Sequence, residues 1–378
     1  MKKAVIYGAG NIGRGFIAQL FCESGYESVF IELNPAIVEQ LNRERSYPIR
    51  IIREEGNFDE PVGNVRAVSG LNIESAAREI SEADLMATAV GVPVLPHIAC
   101  VIARGISERK KSSNQEPLNI IICENLLHAG QYLSDLVRNE LPEEDRVYMD
   151  MNIGYVEASI GRMVPVMTAQ MQDGNALRIC TESYSTLPVD KDAFIGDIPY
   201  VSHMQPYSPF SYFMQRKLYI HNMGHAVTAY LGAQKGLKYI WQAIQDKDIC
   251  ALVRGAMMES AMALSIEYNI PVAELTEHAD DLIERFGNRG LGDTIERVGR
   301  DLARKLAPDD RIIGAISMCR KHGIEPVCIY QGLAAALDFR DPLSRFPVEY
   351  ENPDYKNHIL REVCKMPEGS ETWIKVFR

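Results

Sequence analysis

Apolar and polar positions follow two different rhythms along this chain. Up to about residue 150, short apolar runs alternate with amphipathic stretches. The runs are "AVIYG", "SVFIEL", "DLMATAVG", "LNIIICEN" and "RVYMDMNIG"; between them lie "GRGFIAQLFCESG", "NPAIVEQLNRE" and "LPHIACVIARGISERKK". Solid apolar runs are what strands show when both faces of their sheet are covered, and the intervening stretches carry a helical period. The pattern predicts an α/β domain built on a doubly wound parallel sheet. From about residue 211 the period becomes 3.6 throughout, in segments such as "SPFSYFMQRKLYIHNMGHAVTAYLG", "ICALVRGAMMESAMALSIEYN" and "DTIERVGRDLARKL". A mainly α-helical second domain is expected there. The join "ALRICTESYSTLPVDKDAFIGDIP" reads as strand plus loop that trims or extends the sheet.

With 378 residues the chain exceeds one typical core, so the two rhythms are read as two domains, 1–192 and 193–378. A helical domain packed on the open edge of a nucleotide domain would form a cleft for a small substrate.

Composition narrows the function classes. The formal net charge of −11 argues against a nucleic-acid or anionic-membrane surface, which needs a basic stripe, but leaves room for a small anion held by a few local cations. No stretch approaches the ~18 uncharged apolar residues of a spanning helix. The start "MKKAVIYGAG" meets glycines too early for a signal peptide and reads as a strand. The eight cysteines are scattered without a C-x-x-C pair, as expected of buried thiols in a cytoplasmic protein, and no His/Cys ladder points to a metal.

The loop after the first run reads "GAGNIGRG". Following a strand and opening a helix, it is the Rossmann-type dinucleotide fingerprint: Gly8 for the tight turn, Gly10 for close approach to a pyrophosphate, Gly13 for helix–strand packing. Ala9, Asn11 and Ile12 complete the loop, whose N–H groups face the phosphates at a helix N-terminus. Glu32 closes the second run, about 20 residues after Gly13, where a carboxylate bonds both ribose hydroxyls and repels a 2′-phosphate. NAD is therefore expected rather than NADP. A capping role for that acid is the alternative, although Asn34 before Pro35 suits a cap better. Thr88, Ala89 and Val90 end one run with small residues where a nicotinamide would lie; Glu124 and Asn125 end another, placed to meet a ligand or to cap the next helix.

In "KLYIHNMGH", Lys217, Asn222 and His225 interrupt an apolar helix. At about 100° per residue they fall near 0°, 140° and 80°, on one side. A packed helix with satisfied polar groups and a catalytic set both fit that pattern.

The spacing K-x4-N-x2-H resembles the signature of the polyol-specific long-chain dehydrogenases and reductases. "GAGNIGRGF", "LNIIICEN", "RMVP", "LYIHNMGHAVTAYLG" and "ERVGRDLARKL" are most similar, in order and spacing, to the mannitol-1-phosphate 5-dehydrogenase branch. The likeness covers about residues 1 to 340 and fades in the tail. It implies a metal-independent, NAD-linked enzyme in which Lys217 is the general base, Asn125 and Asn222 form an oxyanion hole, and His225 binds a substrate hydroxyl and helps orient the lysine. It lifts Arg297, Arg300 and Lys305 toward an anionic substrate group, although periodicity alone puts these arginines on a solvated face. Arg162, in the matching "RMVP" stretch, is likewise implied as a substrate-binding residue. A monomer is the implied state. Gly161 stands where the family commonly has aspartate, and Arg289 where it has proline. The expected reaction interconverts mannitol 1-phosphate and fructose 6-phosphate. Its rivals are an unphosphorylated polyol, a sugar acid of the tagaturonate or fructuronate type, and a nucleotide-binding sensor without catalysis.

Overall fold

The computed structural model describes residues 1–53, 55–341, 346 and 348–376, so the tail after about residue 340 lies partly outside the described residues. The chain divides into two compact units, Met1–Ser211 and Tyr212–Arg378. Residues 193–211 fall in the first.

Among the described residues the first unit holds eleven strands, nine of which build its two larger sheets: β1 Lys3–Tyr7, β2 Glu27–Glu32, β3 Tyr47–Ile51, β4 Phe58–Val62, β5 Val65–Ser69, β6 Leu85–Thr88, β7 Leu118–Ile122, β8 Ile153–Glu157 and β9 Ile179–Thr181. Six of them form one parallel sheet in the order β5-β2-β1-β6-β7-β8. Successive side chains leave opposite faces of a strand. Ile6, Phe30 and Ile121 join one buried layer with Phe16, Leu20 and Phe21; Val5, Ile31 and Ile120 join the other with Ile80, Ile102 and Ile106. Both faces are covered, as the solid apolar runs require. Chain order reverses between β1 and β6, the switch point beyond whose carboxyl ends such sheets bind ligands.

Three local expectations need correction. The edge strand β5, "VRAVS", was not among the runs. Val65 and Ala67 are buried while Arg66 is half-exposed and paired with Glu79, so an edge strand alternates where a central strand does not. The run "RVYMDMNIG" is mostly helix, Glu143–Asn152, and β8 begins only at Ile153. Pro142 precedes that helix and Glu143, Glu144 and Asp145 fill its first turn, where acids meet the positive end of the helix; Val147 and Met151 point to solvent, so apolar residues here mimic a strand. Finally, β9 does not extend the main sheet. It pairs parallel with β3, which pairs antiparallel with β4, and Leu187–Asp190 pairs with Met204–Tyr207 in a ribbon of its own.

The second unit is helical. Its longest helix, Lys247–Tyr268, is apolar enough to cross a membrane by length and composition. Here it is a core helix: Val253, Ala256, Met257, Ala261 and Leu264 are fully buried among its neighbours, and Glu259 accepts from the Cys328 and Ile329 N–H groups at the start of helix Val327–Leu337. "DTIERVGRDLARKL" is not one helix. Ile295–Gly299 and Leu302–Lys305 are separated by Arg300 and by Asp301 in the left-handed region, φ 66°. The single arginine face expected from continuous periodicity is thereby broken.

Candidate active site

Backbone geometry builds the glycine loop of the first unit. Gly8 has φ +100°, and a Cβ there would lie 2.7 Å from the Ala89 carbonyl oxygen; a Cβ at Gly13 would lie 2.1 Å from that of Gly8. A Cβ at Gly10 would meet nothing within 4 Å. Two glycines are thus demanded by the protein's own packing, and the third faces open space that a ligand can enter. Asn11 is exposed beside it and Ile12 half-buried. Sequence reasoning missed Arg14, which is buried beneath the loop. Its Nε donates to the Ala9 carbonyl at 2.6 Å and its guanidinium to that of Leu177 at 2.6 Å, while Tyr47 donates its hydroxyl to the Arg14 carbonyl at 2.7 Å. The only available signal was a charged residue inside a glycine-rich turn.

Glu32 stands at the end of β2 with each oxygen held by main chain. Ala9 N–H donates to one at 2.9 Å and Asn34 N–H to the other at 2.8 Å. Asn34 itself caps helix Pro35–Glu44 by accepting from Ala36 N–H at 3.0 Å, so the capping role falls to Asn34. Glu32 lines a cleft of about 370 Å³ with Gly8, Gly10, Ile73, Val94 and Ile98. Apolar walls with one carboxylate at the rim and an open glycine loop alongside fit an adenosine and the pyrophosphate that follows it.

Glu124 is buried and turned inward. Its carboxylate accepts from the Thr88 hydroxyl at 2.6 Å and from the Val90 and Gly91 N–H groups at 2.9 and 3.3 Å. It clamps the end of β7 to the loop after β6, so it acts on a ligand only by shaping Ala89 and Val90. Asn125, next in the chain, is exposed. Arg162 is engaged inside the unit, donating to Gly15 O at 2.9 Å and Gln19 Oε1 at 2.6 Å and lying over the Phe16 ring; burial pulls it down to about 10. It braces the nucleotide helix, a structural use of the residue expected beside substrate. A Cβ at Gly161 would lie 3.1 Å from the Tyr184 ring, so a larger residue there would need that ring to give.

In the second unit, the helix that begins at Ser211 changes character within the motif. Lys217–Asn222 is a π-helix, and Met223 N–H donates to Leu218 O five residues back, before α-helical geometry resumes over Met223–Gln234. The angles expected for a regular helix therefore do not hold. Five-residue hydrogen bonding sets Lys217 and Asn222 about one turn apart along one face, and His225, three residues further on the α-helix, continues that face. Lys217 and Asn222 are half-buried.

His225 is closely held. Its ring stacks on Phe286, centroids 4.7 Å apart and planes within 14°, and its Nε2 lies 3.4 Å from Asp293 Oδ2. Burial, working against the Asp293 carboxylate, pulls the imidazole below its ordinary value, while His225 and Arg297 keep Asp293 ionised against its own burial. Asp293 and Phe286 were not among the expected site residues; neither lies in the quoted motif. His221, between the motif residues, is buried against Phe286 and held neutral by burial, with the Arg285 charge adding to the effect.

The three expected anion-binding cations occupy unlike settings. Arg297 ion-pairs with Asp293 Oδ1. Arg300 is exposed at the break between the two short helices. Lys305 is buried, donates to the Val298 carbonyl, and is drawn down to about 7 by burial with Arg311 and Arg304 nearby. Arg289 stacks over Trp241 at 4.7 Å.

Comparison with known proteins covers almost the whole chain. Residues 2–202 match the family model described as the mannitol dehydrogenase Rossmann domain, and residues 210–375 the one described as the mannitol dehydrogenase C-terminal domain. Among solved structures, the chain is similar to the Pseudomonas fluorescens mannitol 2-dehydrogenase ternary complex with NAD and D-mannitol, at 14% identity and TM-score 0.74, covering 100% of this chain and 91% of that one. It is also similar to a D-sorbitol dehydrogenase in substrate-free form, at 14% identity and TM-score 0.77, covering 98% and 87%. At such identities the likeness concerns the fold.

Proposed function

Because the chain belongs to the mannitol dehydrogenase family, we propose that it is an NAD-dependent polyol dehydrogenase, and that its substrate pair is mannitol 1-phosphate and fructose 6-phosphate. The observation that carries the catalytic part is the π-helix Lys217–Asn222 running into helix Met223–Gln234, whose hydrogen bonding supports a common face for Lys217, Asn222 and His225. Oxidation of a secondary alcohol needs a base for the hydroxyl proton, donors for the developing alkoxide and a hydride acceptor. Lys217, half-buried, takes the proton. Asn222 Nδ2 is an amide donor for the alkoxide. His225 fixes a substrate hydroxyl.

NAD, when bound, supplies the hydride acceptor. The glycine loop and its open face at Gly10 hold the pyrophosphate, and Glu32 takes the ribose diol. A 2′-phosphate would meet the Glu32 carboxylate, so wild type is expected to prefer NADH over NADPH clearly in kcat/KM; equal efficiency with both would remove Glu32 from that role. Support for a phosphorylated substrate comes from Arg300, exposed, and Lys305, buried with a carbonyl partner, since an anion would favour the ammonium form of such a lysine. The solved relatives are named for unphosphorylated polyols, so the phosphate is the finer part of the reading. NADH oxidation with fructose 6-phosphate, fructose and tagaturonate tests it. Fructose 6-phosphate should give the highest kcat/KM; a win for tagaturonate or fructose would overturn the phosphate while leaving cofactor and base in place.

A further inference from the structure

Asp293 sits immediately before the capping residue of a short helix, and its backbone is fixed twice. Ile240 N–H donates to the Asp293 carbonyl at 2.9 Å, and the adjacent Thr294 forms a bridge with Tyr239 while its hydroxyl caps helix Ile295–Gly299 through Arg297 N–H at 3.2 Å. The side chain is only 12% exposed. One carboxylate oxygen is ion-paired by Arg297, one turn further on; the other faces His225 Nε2 at 3.4 Å. That nitrogen is buried and completes no hydrogen bond, so the Asp293 carboxylate is the polar group it faces. Phe286 covers the ring face, so the imidazole cannot swing out of the carboxylate's reach without losing its stacking.

We propose that Asp293, itself oriented by Arg297, is a positioning residue that holds the His225 proton on Nε2 and so leaves Nδ1 as the acceptor for a substrate hydroxyl. A neutral imidazole carries one ring proton, and a carboxylate accepts but cannot donate, so the proton belongs on the nitrogen that faces Asp293. At 3.4 Å the contact does not complete a hydrogen bond, and catalytic contacts often tighten only when substrate binds. This deepens the dehydrogenase reading and rests on it for the role of Nδ1. It also gives Arg297 a different task from the one its family likeness implies: it serves the substrate through Asp293 and His225, whatever group the substrate carries at its far end.

The test uses the full chain labelled with ¹⁵N-histidine, the His225 signals being assigned by their loss in His225→Gln. Wild type should show the Nε2–H tautomer near neutral pH. Asp293→Asn presents an amide that can donate to Nε2, so the proton should move to Nδ1 while kcat/KM falls on the order of 10–100-fold, the usual cost of losing such a supporting partner. NADH affinity should not change. Arg297→Gln should lower kcat/KM in the same direction and equally for fructose 6-phosphate and fructose, and it remains informative if Asp293→Asn does not fold. An unchanged tautomer in Asp293→Asn, strictly additive effects of Asp293→Asn and His225→Ala, or an Arg297→Gln loss confined to the phosphorylated ketose would each overturn the proposal. If wild type reduces no ketose at all, the reaction assignment falls, while the tautomer measurement still decides what Asp293 does.

Discussion

The two units build their functional surfaces by opposite means. In the sheet unit the ligand cleft is made of main chain: Gly8 and Gly13 let strand and helix close on each other, Gly10 opens to the ligand, and even the Glu32 and Glu124 carboxylates are held by backbone N–H groups. In the helical unit the polar set is made of side chains from segments far apart in sequence, with Asp293 and Phe286 reaching His225. The first kind of site is encoded within a few residues of chain, because strand, turn and helix start follow one another directly. The second kind exists only after tertiary packing. Substitutions should therefore separate binding from chemistry along the boundary between the units.

The largest expected effect lies on the helical side. Lys217→Ala should fold, bind NADH and lose the chemical step by ~10²–10⁴-fold, the range for removing a general base. Stopped-flow measurement of NADH oxidation separates this from a binding defect. Near wild-type turnover would move the base elsewhere and reduce the π-helix to packing.

A pair of alanines sharpens the sheet side. Gly13→Ala pushes a methyl into the Gly8 carbonyl and should destabilise the unit by about 1–3 kcal/mol or more, the usual range for overpacking. Gly10→Ala meets no protein atom, so its melting temperature should match wild type while NADH affinity falls. Calorimetric melting and NADH fluorescence titration read the two quantities separately. A Gly10→Ala variant that melts early but binds NADH normally would mean that all three glycines serve packing alone.

The same contrast explains what the sequence revealed. The fold class and the sheet-side fingerprint were legible because central strands are solidly apolar and the glycine loop is contiguous. Legibility failed where one period imitates another. Val147 and Met151 made an exposed helix look like a strand, and the alternation of β5 hid an edge strand. The site itself was half legible. Lys217, Asn222 and His225 stand out as polar residues in an apolar helix, but no periodicity announces a π-turn, and the regular angles misplace Lys217 against Asn222. Glu124 was read as ligand-facing or capping from its place at a strand end, and Arg162 as substrate-binding from the resemblance, yet each turned inward because a buried charged group must find partners within the fold. Asp293 could not be found, since nothing local distinguishes it from any acid before a helix.

The smallest expected effect concerns Lys305, and it tests whether the helical unit also supplies the anion site. Burial draws this lysine down to about 7, whereas in the unfolded chain it holds its proton to about 10.5. Between those values the unfolded state binds more protons than the folded one, so stability rises with pH across that window, and below about pH 7 the cost of the buried charge is fully present. Lys305→Met should remove this slope, visible as a smaller difference between urea unfolding free energies at pH 7 and pH 9 than in wild type. An anion beside Lys305 favours the ammonium form, so fructose 6-phosphate binding at pH 8 should take up a fraction of one proton, read by calorimetry in two buffers of different ionisation enthalpy. Fructose should take up none, and Lys305→Met should abolish the uptake for the phosphate. Equal proton uptake with both ketoses would show that the titrating group does not face the phosphate, leaving exposed Arg300 as the cation to test next.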